Sequence, residues 1–360
     1  MDVSVDIRQV FQLAVGQGAS DVHLTAGLPP LFRVNGELIR SDLGPLSPEE
    51  TKALVYSVMH DHQKVRFEEQ LELDFSLAVD GIGRFRVNTH LQRGNVEAAF
   101  RIVPLVIRSR EELGLPPIVD KLAMRPNGLV LVTGPTGVGK STTLAAMIDL
   151  INRERRCMII TIEDPIEYLY KPQRAVIKQR EVGFDTRSFS SALKHVLRQD
   201  PDVIMVGEMR DLETISTALT AAETGHLVLT TLHTPDTAQT IDRIIDVFPA
   251  HQQQQVRIQL TSAIQGIISQ LLIPQADGQG RVIACEILVA TPAIRNLIRV
   301  AKTEQLLHVI ETSAGAGMIS MDRSLQDLYM SGMIRFEDAL SKAKNPGAIQ
   351  RLQHRGGKSS

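Results

Sequence analysis

The sequence predicts an α/β protein: a small α+β domain first, a parallel-sheet domain second and a helical region last. Three observations carry the prediction. Over the first hundred residues, short apolar runs alternate with hairpin signals and helical stretches. From Gly128 onward, near-continuous apolar runs alternate with helices, the pattern of a parallel sheet covered on both faces. After about Thr291 the spacing is helical in several short pieces. The length of 360 residues fits two domains and an appendage at about 150 residues per domain.

Each element has its own signal. Residues 5–15 have helical spacing, and 22–24, 31–34 and 38–39 read as strands. Asn35-Gly36 between apolar runs signals a hairpin, because a type I′ turn needs positive φ twice. Ser47-Pro48-Glu49-Glu50 is a capping box with proline at the first helical position, so a helix runs to about His60. Residues 73–79 and 85–90 make a second hairpin around Asp80-Gly81, and 96–103 a further strand. Pro104, Pro116, Pro117 and Pro126 mark a connecting region that ends at Asn127. Strands follow at 129–133, 158–163, 203–207 and 227–232, with a helix at 142–152. Residues 258–277 carry Gln259, Gln265 and Gln270, stop at Pro274 and read as an amphipathic helix. The tail, with Arg351, Arg355 and Lys358 beside Gly356-Gly357, is expected to fray.

Composition excludes several classes. Apolar residues make up 43% and charged residues 22%, ordinary for a globular chain and unlike a collagen, a coiled coil or a disordered protein. The net charge of −2, from 39 basic and 41 acidic residues, shows none of the basic excess of a protein that holds nucleic acid by bulk phosphate neutralisation. Cys157 and Cys285 are too few for a disulfide framework or a four-cysteine zinc site, and Cys285, in an apolar run, reads as core packing. Asp2, Asp6 and Arg8 near the start do not fit a signal peptide, and no stretch reads as a membrane span, so a cytoplasmic location is expected.

Gly134-Pro135-Thr136-Gly137-Val138-Gly139-Lys140-Ser141 matches the phosphate-loop pattern, and Thr142 continues it into a helix. Glycines let backbone N–H groups turn towards a phosphate, and the helix N-terminus adds its dipole. Lys140 is suited to the β- and γ-phosphates of ATP and Ser141 to Mg²⁺. By chance the pattern would occur in a chain of this length roughly 1% of the time. Here it also sits between an apolar strand and a helix, as the mechanism requires.

Hydrolysis needs groups that orient water and metal. Glu208 closes the apolar run 203–207, at the strand end where ligands sit in a parallel sheet. Glu163 and Glu167, beside Pro165, follow another strand; either is a candidate to activate water, and the pattern alone does not choose between that and a structural role. His226 and His233 bound one strand at opposite ends, so only one can face the nucleotide, and His233 is at the carboxyl end. Arg84 and Arg86 share one strand face opposite Phe85 and Val87, and Arg101 lies on the next strand. These arginines suit either a solvated face or arginine fingers.

Taken together, the motifs resemble those of the bacterial secretion ATPase superfamily, most closely its PilT-type type IV pilus retraction (twitching motility) ATPases. The resemblance covers essentially the whole chain. Its carriers are Gly18-Ala-Ser-Asp21-Val-His-Leu, the phosphate loop, Thr161-Ile-Glu163-Asp-Pro-Ile-Glu167, Gly207-Glu208-Met-Arg-Asp211, Thr231-Leu-His233-Thr234 and Ala293-Ile-Arg-Asn-Leu-Ile-Arg299. The last segment resembles the one that marks retraction ATPases. Val138 and Val300 depart slightly from the family pattern.

The resemblance implies a PAS-like N-terminal domain (residues 1–103), a hinge (104–117), a RecA-like P-loop ATPase core (118–290), a C-terminal helical region (291–350) and a disordered tail (351–360). It implies a homohexamer that hydrolyses ATP with Mg²⁺ and works against an inner-membrane pilus platform protein, at the cytoplasmic face of that membrane and without nucleic acid. By position Glu208 is the Walker B glutamate, a metal-holding residue with Ser141, and Glu167 the general base. Arg86 and Arg101 are the arginines that reach the nucleotide. Other readings are an accessory retraction or secretion-system ATPase, a nucleic-acid translocase, and a low-turnover, nucleotide-gated regulatory protein. The Ala293–Arg299 segment disfavours the first, the charge balance the second, and the intact Glu208 and His233 the third.

Overall fold

A computed structural model describes residues 5–34, 36–103 and 106–356, with side chains described to Arg351. The chain divides into two compact units, Met1–Val106 with Pro165–Leu169, and Ile107–Asp164 with Tyr170–Ser360.

The first unit comprises α1 (Ile7–Gly16), β1 (Asp21–Leu24), β2 (Leu31–Val34), β3 (Glu37–Arg40), α2 (Pro48–Ser57), α3 (Asp61–Gln70), β4 (Glu72–Val79), β5 (Gly83–Gln92) and β6 (Asn95–Val103). Its sheet runs β3-β2-β1-β6-β5-β4 with every neighbouring pair antiparallel. The β2–β3 hairpin forms as expected, though Asn35 lies outside the described residues. At the start of α2 the Glu50 N–H donates to Ser47 Oγ (3.1 Å) and the Ser47 N–H to Glu50 Oε2 (2.7 Å), the reciprocal pairing of a capping box. The sequence reading gave no helix for α3, which buries only Gln63 and Phe67 and so shows too sparse an apolar stripe. Phe11 on α1 stacks on Phe85 at 4.1 Å and meets Phe100 edge-on at 5.0 Å, in the middle of the core. All three rings are fully buried, and truncating any one to alanine would cost about 3–5 kcal/mol.

The second unit begins with α4 (Ile118–Ala123), a short helix inside the expected connecting region. It continues with β7 (Gly128–Thr133), α5 (Lys140–Glu154), β8 (Met158–Glu163), β9 (Val176–Glu181), α6 (Phe189–Val196), β10 (Val203–Val206), α7 (Leu212–Glu223), β11 (Leu227–Leu232), α8 (Thr237–Asp246), α9 (Ala250–Ala263), β12 (Ile264–Pro274) and β13 (Arg281–Val289). The sheet order is β13-β12-β7-β11-β10-β8-β9, parallel throughout except for antiparallel β13 at one edge. Strands β7 and β11 are buried at every position, which is why they read as continuous apolar runs.

One expectation needs correcting. Residues 258–277 are not one amphipathic helix: α9 ends at Ala263 and the chain continues directly as β12. β12 is buried on both faces, so its apolar run has no period to separate strand from helix. A Cβ on Gly266 would come within 2.7 Å of Leu122, so this glycine lets the strand pass close under α4.

The remaining chain is helical, as expected: α10 (Pro292–Arg299), α11 (Leu306–Thr312), α12 (Met321–Met330), α13 (Phe336–Lys342) and α14 (Pro346–Gly356), with short 3₁₀ turns between. The tail expected to be disordered from residue 351 is helical to Gly356; residues 357–360 lie outside the described ones. Buried Ile349 anchors that last helix, and the Gln-, Arg- and Leu-containing sequence after it favours continuation. Met321, Leu325, Ile334, Ala339 and Ile349 pack together against Ile273 of β12 and Ala284 of β13. Ser324 Oγ accepts the N–H of buried Cys285 at 3.0 Å. Between α13 and α14, Lys344 Nζ lies 3.1 Å from Asp236 Oδ2 and 3.0 Å from Glu286 Oε2, joining the helical region to the start of α8 and to β13.

Candidate nucleotide site

β7 ends at Thr133, and Gly134, Pro135, Thr136, Gly137, Val138 and Gly139 form a loop that leads straight into α5. Lys140, Ser141 and Thr142 make the first turn of that helix. A Cβ on Gly134, whose φ is 136°, would fall 2.4 Å from the Gln270 carbonyl oxygen, so only glycine fits. Gly139, with φ 87°, is the N-cap residue and has no side chain to satisfy the first N–H groups of α5. Those donors and the helix dipole together make an anion cradle. The Lys140 ammonium folds over the loop, donating to the carbonyls of Gly134 (2.8 Å) and Pro135 (2.9 Å).

Glu163, Glu208 and His233 lie at the carboxyl ends of β8, β10 and β11, beside the loop at the end of β7. The register aligns these ends: Val206 opposes Ile162 and Thr230, and Leu232 opposes Thr133. His233 is the meeting point. Its Nδ1 is 3.4 Å from both Lys140 Nζ and Thr136 Oγ1, and its Nε2 is 3.2 Å from Glu208 Oε1. An ammonium can only donate, so Nδ1 is the acceptor and Nε2 carries the hydrogen that Glu208 accepts. Glu208 also pairs with Arg210 Nε at 2.6 Å. Burial opposes ionisation of Glu208, but Arg210 and His233 outweigh it and hold the carboxyl below its ordinary pKa. Glu208 is therefore a fixed anion facing the loop.

Glu163 is buried and accepts from Thr161 Oγ1 (2.6 Å) and Gln179 Nε2 (3.0 Å). His226 lies at the opposite end of β11, with Nδ1 2.9 Å from the Ala221 carbonyl oxygen, as the seven-residue spacing requires.

Arg86, Arg101 and Glu167 belong to the first unit. Arg86 and Arg101 oppose each other directly across β5 and β6, both exposed, with Phe85 and Val87 buried on the other face. Two like charges in register are unfavourable in the absence of an anion. Asp21 offsets one of them, accepting from Arg101 Nε at 2.9 Å, and is itself held by Ser20 Oγ at 2.8 Å. Glu167 is half-buried on the segment Pro165–Leu169.

Three residues of these sites escaped the sequence reading. Arg210 was quoted within a motif, yet its pairing with Glu208, two residues away along an irregular turn, has no periodic signature. Asp21 stands 80 residues before Arg101, and the two come opposite one another only once β1 and β6 pair. Gln270, whose carbonyl abuts Gly134, lies in the stretch whose sequence reads as a helix.

Residues 2–339 match the family described as Type II/IV secretion system protein. The chain is 51% identical to the protein named type IV pilus retractation ATPase PilT of Pseudomonas aeruginosa, over 95% of this chain and 99% of that one. It is 50% identical to a twitching motility protein of Neisseria gonorrhoeae, over 88% of this chain and 84% of that one. The solved structure of a pilus retraction motor PilT with bound ADP superimposes with a TM-score of 0.91 at 50% identity, covering 96% of this chain and 99% of that one. With its phosphate loop, its strand-end carboxylate and nearly its whole length matched, this chain belongs to the type II/IV secretion system protein family.

Proposed function

We propose that the chain is the ATP-hydrolysing motor that retracts a type IV pilus, acting as a Mg²⁺-dependent homohexamer in the cytoplasm against an inner-membrane platform protein. The observation that carries this reading is His233, which joins Lys140 of the phosphate loop to Glu208. That linkage brings the Lys140 ammonium, the His233 imidazole and the Glu208 carboxylate around one point, and a simple nucleotide-binding module has no need of the last two. The names of the relatives supply the direction of work.

In this reading the loop N–H groups hold the phosphates, and Lys140 exchanges its carbonyl partners for phosphate oxygens. The oxygens of Ser141 and Glu208 suit a hard cation. Among the described residues no group of three or more His, Cys, Asp or Glu is arranged to hold a metal ion by itself; phosphate and water would complete the shell, as is usual for Mg²⁺. The cation, when bound, neutralises charge on the β- and γ-phosphates. Glu167 orients the attacking water, with Glu163 as the other candidate. Arg86 and Arg101 offer their paired charge to the phosphates, and Asp21 aims Arg101. His233 senses the γ-phosphate from between Lys140 and Glu208. Turnover drives rotation of the N-terminal domain (1–103) against the RecA-like core (118–290) about a hinge at residues 104–117. Among the described residues no helix is long and apolar enough to cross a membrane, so force would pass through the platform partner.

The test is ATPase rate against protein concentration, with mass by light scattering, for wild type and Lys140→Ala. The expected result is turnover that rises as a sixfold mass assembles and is lost in the variant. Turnover by a monomer, or normal hydrolysis by Lys140→Ala, would overturn the reading; nucleotide binding without turnover would favour a nucleotide-gated regulator.

A further inference from the structure

We infer that Gln270 is a positioning residue for the nucleotide: its buried carboxamide clamps the phosphate loop to the first turn of α5. The inference rests on the reading of that loop as the nucleotide site.

Gln270 is 1% exposed on β12, a strand otherwise almost wholly apolar at its centre. A carboxamide buried there is costly unless both of its ends are satisfied. Both are, and both by the loop region. Nε2 donates to the Val138 carbonyl at 2.7 Å, and Oε1 accepts from Thr143 Oγ1 at 2.9 Å. Between those two partners lie only Gly139, Lys140, Ser141 and Thr142, the residues expected to hold phosphate and metal. One side chain therefore fixes both ends of the binding segment.

The geometry of the peptide unit extends the effect. In a trans peptide the C=O and the next N–H point in opposite directions. Tying the Val138 carbonyl to Gln270 turns the Gly139 N–H away from β12. Gly139 has φ 87°, the left-handed conformation that favours glycine, so the loop can turn into α5 directly beside the carboxamide. The start of the loop meets Gln270 again, together with its neighbour Ser269 on β12. Ser269 Oγ meets Thr133 Oγ1 at 2.6 Å, and the Gln270 carbonyl abuts Gly134. A loop region hydrogen-bonded at Thr133, Val138 and Thr143 loses less freedom when a phosphate arrives, and that saving appears as affinity.

The test uses the full chain with a fluorescent ADP analogue for binding and ATP for turnover, in wild type, Gln270→Met and Thr143→Val. Gln270→Met keeps the length and removes both hydrogen bonds; Thr143→Val removes one. The expected result is a Kd for ADP and a KM for ATP raised roughly tenfold in Gln270→Met and about threefold in Thr143→Val, with kcat per folded site nearly unchanged. A purely structural role would lower the melting temperature and the folded fraction but leave Kd and KM within about twofold, and that result overturns the inference. If Gln270→Met does not fold, an unchanged Kd in Thr143→Val overturns it alone. A wild type that binds ADP without hydrolysing ATP would remove the motor reading and leave the Kd series as the decisive measurement. A wild type that binds no nucleotide overturns both.

Discussion

Lys344→Met puts a number on the tie between the helical end of the chain and the ATPase sheet. In the wild type Lys344 Nζ contacts Asp236 and Glu286, whose side chains are 12% and 2% exposed, while Lys344 itself is 36% exposed. Removing the lysine leaves the Glu286 carboxylate buried, with only Thr237 N–H (2.9 Å) and Thr237 Oγ1 (2.8 Å) still donating to it. Breaking a fully buried pair costs about 3–5 kcal/mol. Solvent reaches the lysine, so the expected cost here is about 2 kcal/mol. For a unit of this size that lowers the melting temperature by about 4–8 °C. Adding Glu286→Gln to the variant should recover part of the loss, because the amide oxygen still accepts from Thr237 and the more deeply buried of the two charges is gone, while Asp236 keeps the Gln239 N–H and Nε2 as donors. The pH dependence has a definite sign. Burial alone would lower the Lys344 pKa, but Glu286 and Asp236 outweigh it and raise it above 10.5. A raised pKa in the folded state gives a contribution fully present below 10.5 and lost as pH rises through the higher folded value. Calorimetry should therefore find a constant gap between wild type and variant from pH 6 to 9, narrowing only above about 10.5. A gap below about 1 °C at pH 7, or no recovery in the double variant, would refute the argument.

Two further outcomes follow from the site. The Glu208 pKa is held below 4.5, so its contribution is present above 4.5 and lost as pH falls through the folded value; Glu208→Gln should melt lower than wild type at pH 7, with the gap closing below about pH 4, and an equal gap at pH 7 and pH 3 contradicts this. Asp21→Ala removes the acceptor that holds Arg101 beside Arg86, and should lower kcat for ATP about tenfold while leaving the ADP Kd within twofold; an unchanged kcat removes Asp21 from the mechanism.

Much of the second unit was legible because burial on both faces writes a strand as a solid apolar run. β8 and β11 match the expected spans, and the phosphate loop announces itself through chemistry that few residues can supply. The same burial hid β12: with no polar face, nothing in residues 264–274 separates strand from helix. β9, half-exposed and charged, had the opposite defect: it has no apolar run and is not among the expected strands. The site was legible where its residues sit at strand ends, as Glu208 and His233 do. It was illegible where contacts form across distance, as between Gln270 and Val138, 132 residues apart. Such pairs are created by the order of strands in the sheet, which a single sequence does not state.

Cys285 gives the molecule a clock of its own. Its thiol is enclosed where α12 covers β13, and burial pushes its pKa up to about 12. At neutral pH, then, the reactive thiolate is scarce. Alkylation has to wait until the covering helix lifts. Cys157, only half-buried, answers to its own local surroundings. The two native thiols should thus react on separate schedules, and the rate at Cys285 would report how readily the C-terminal helices uncover the sheet.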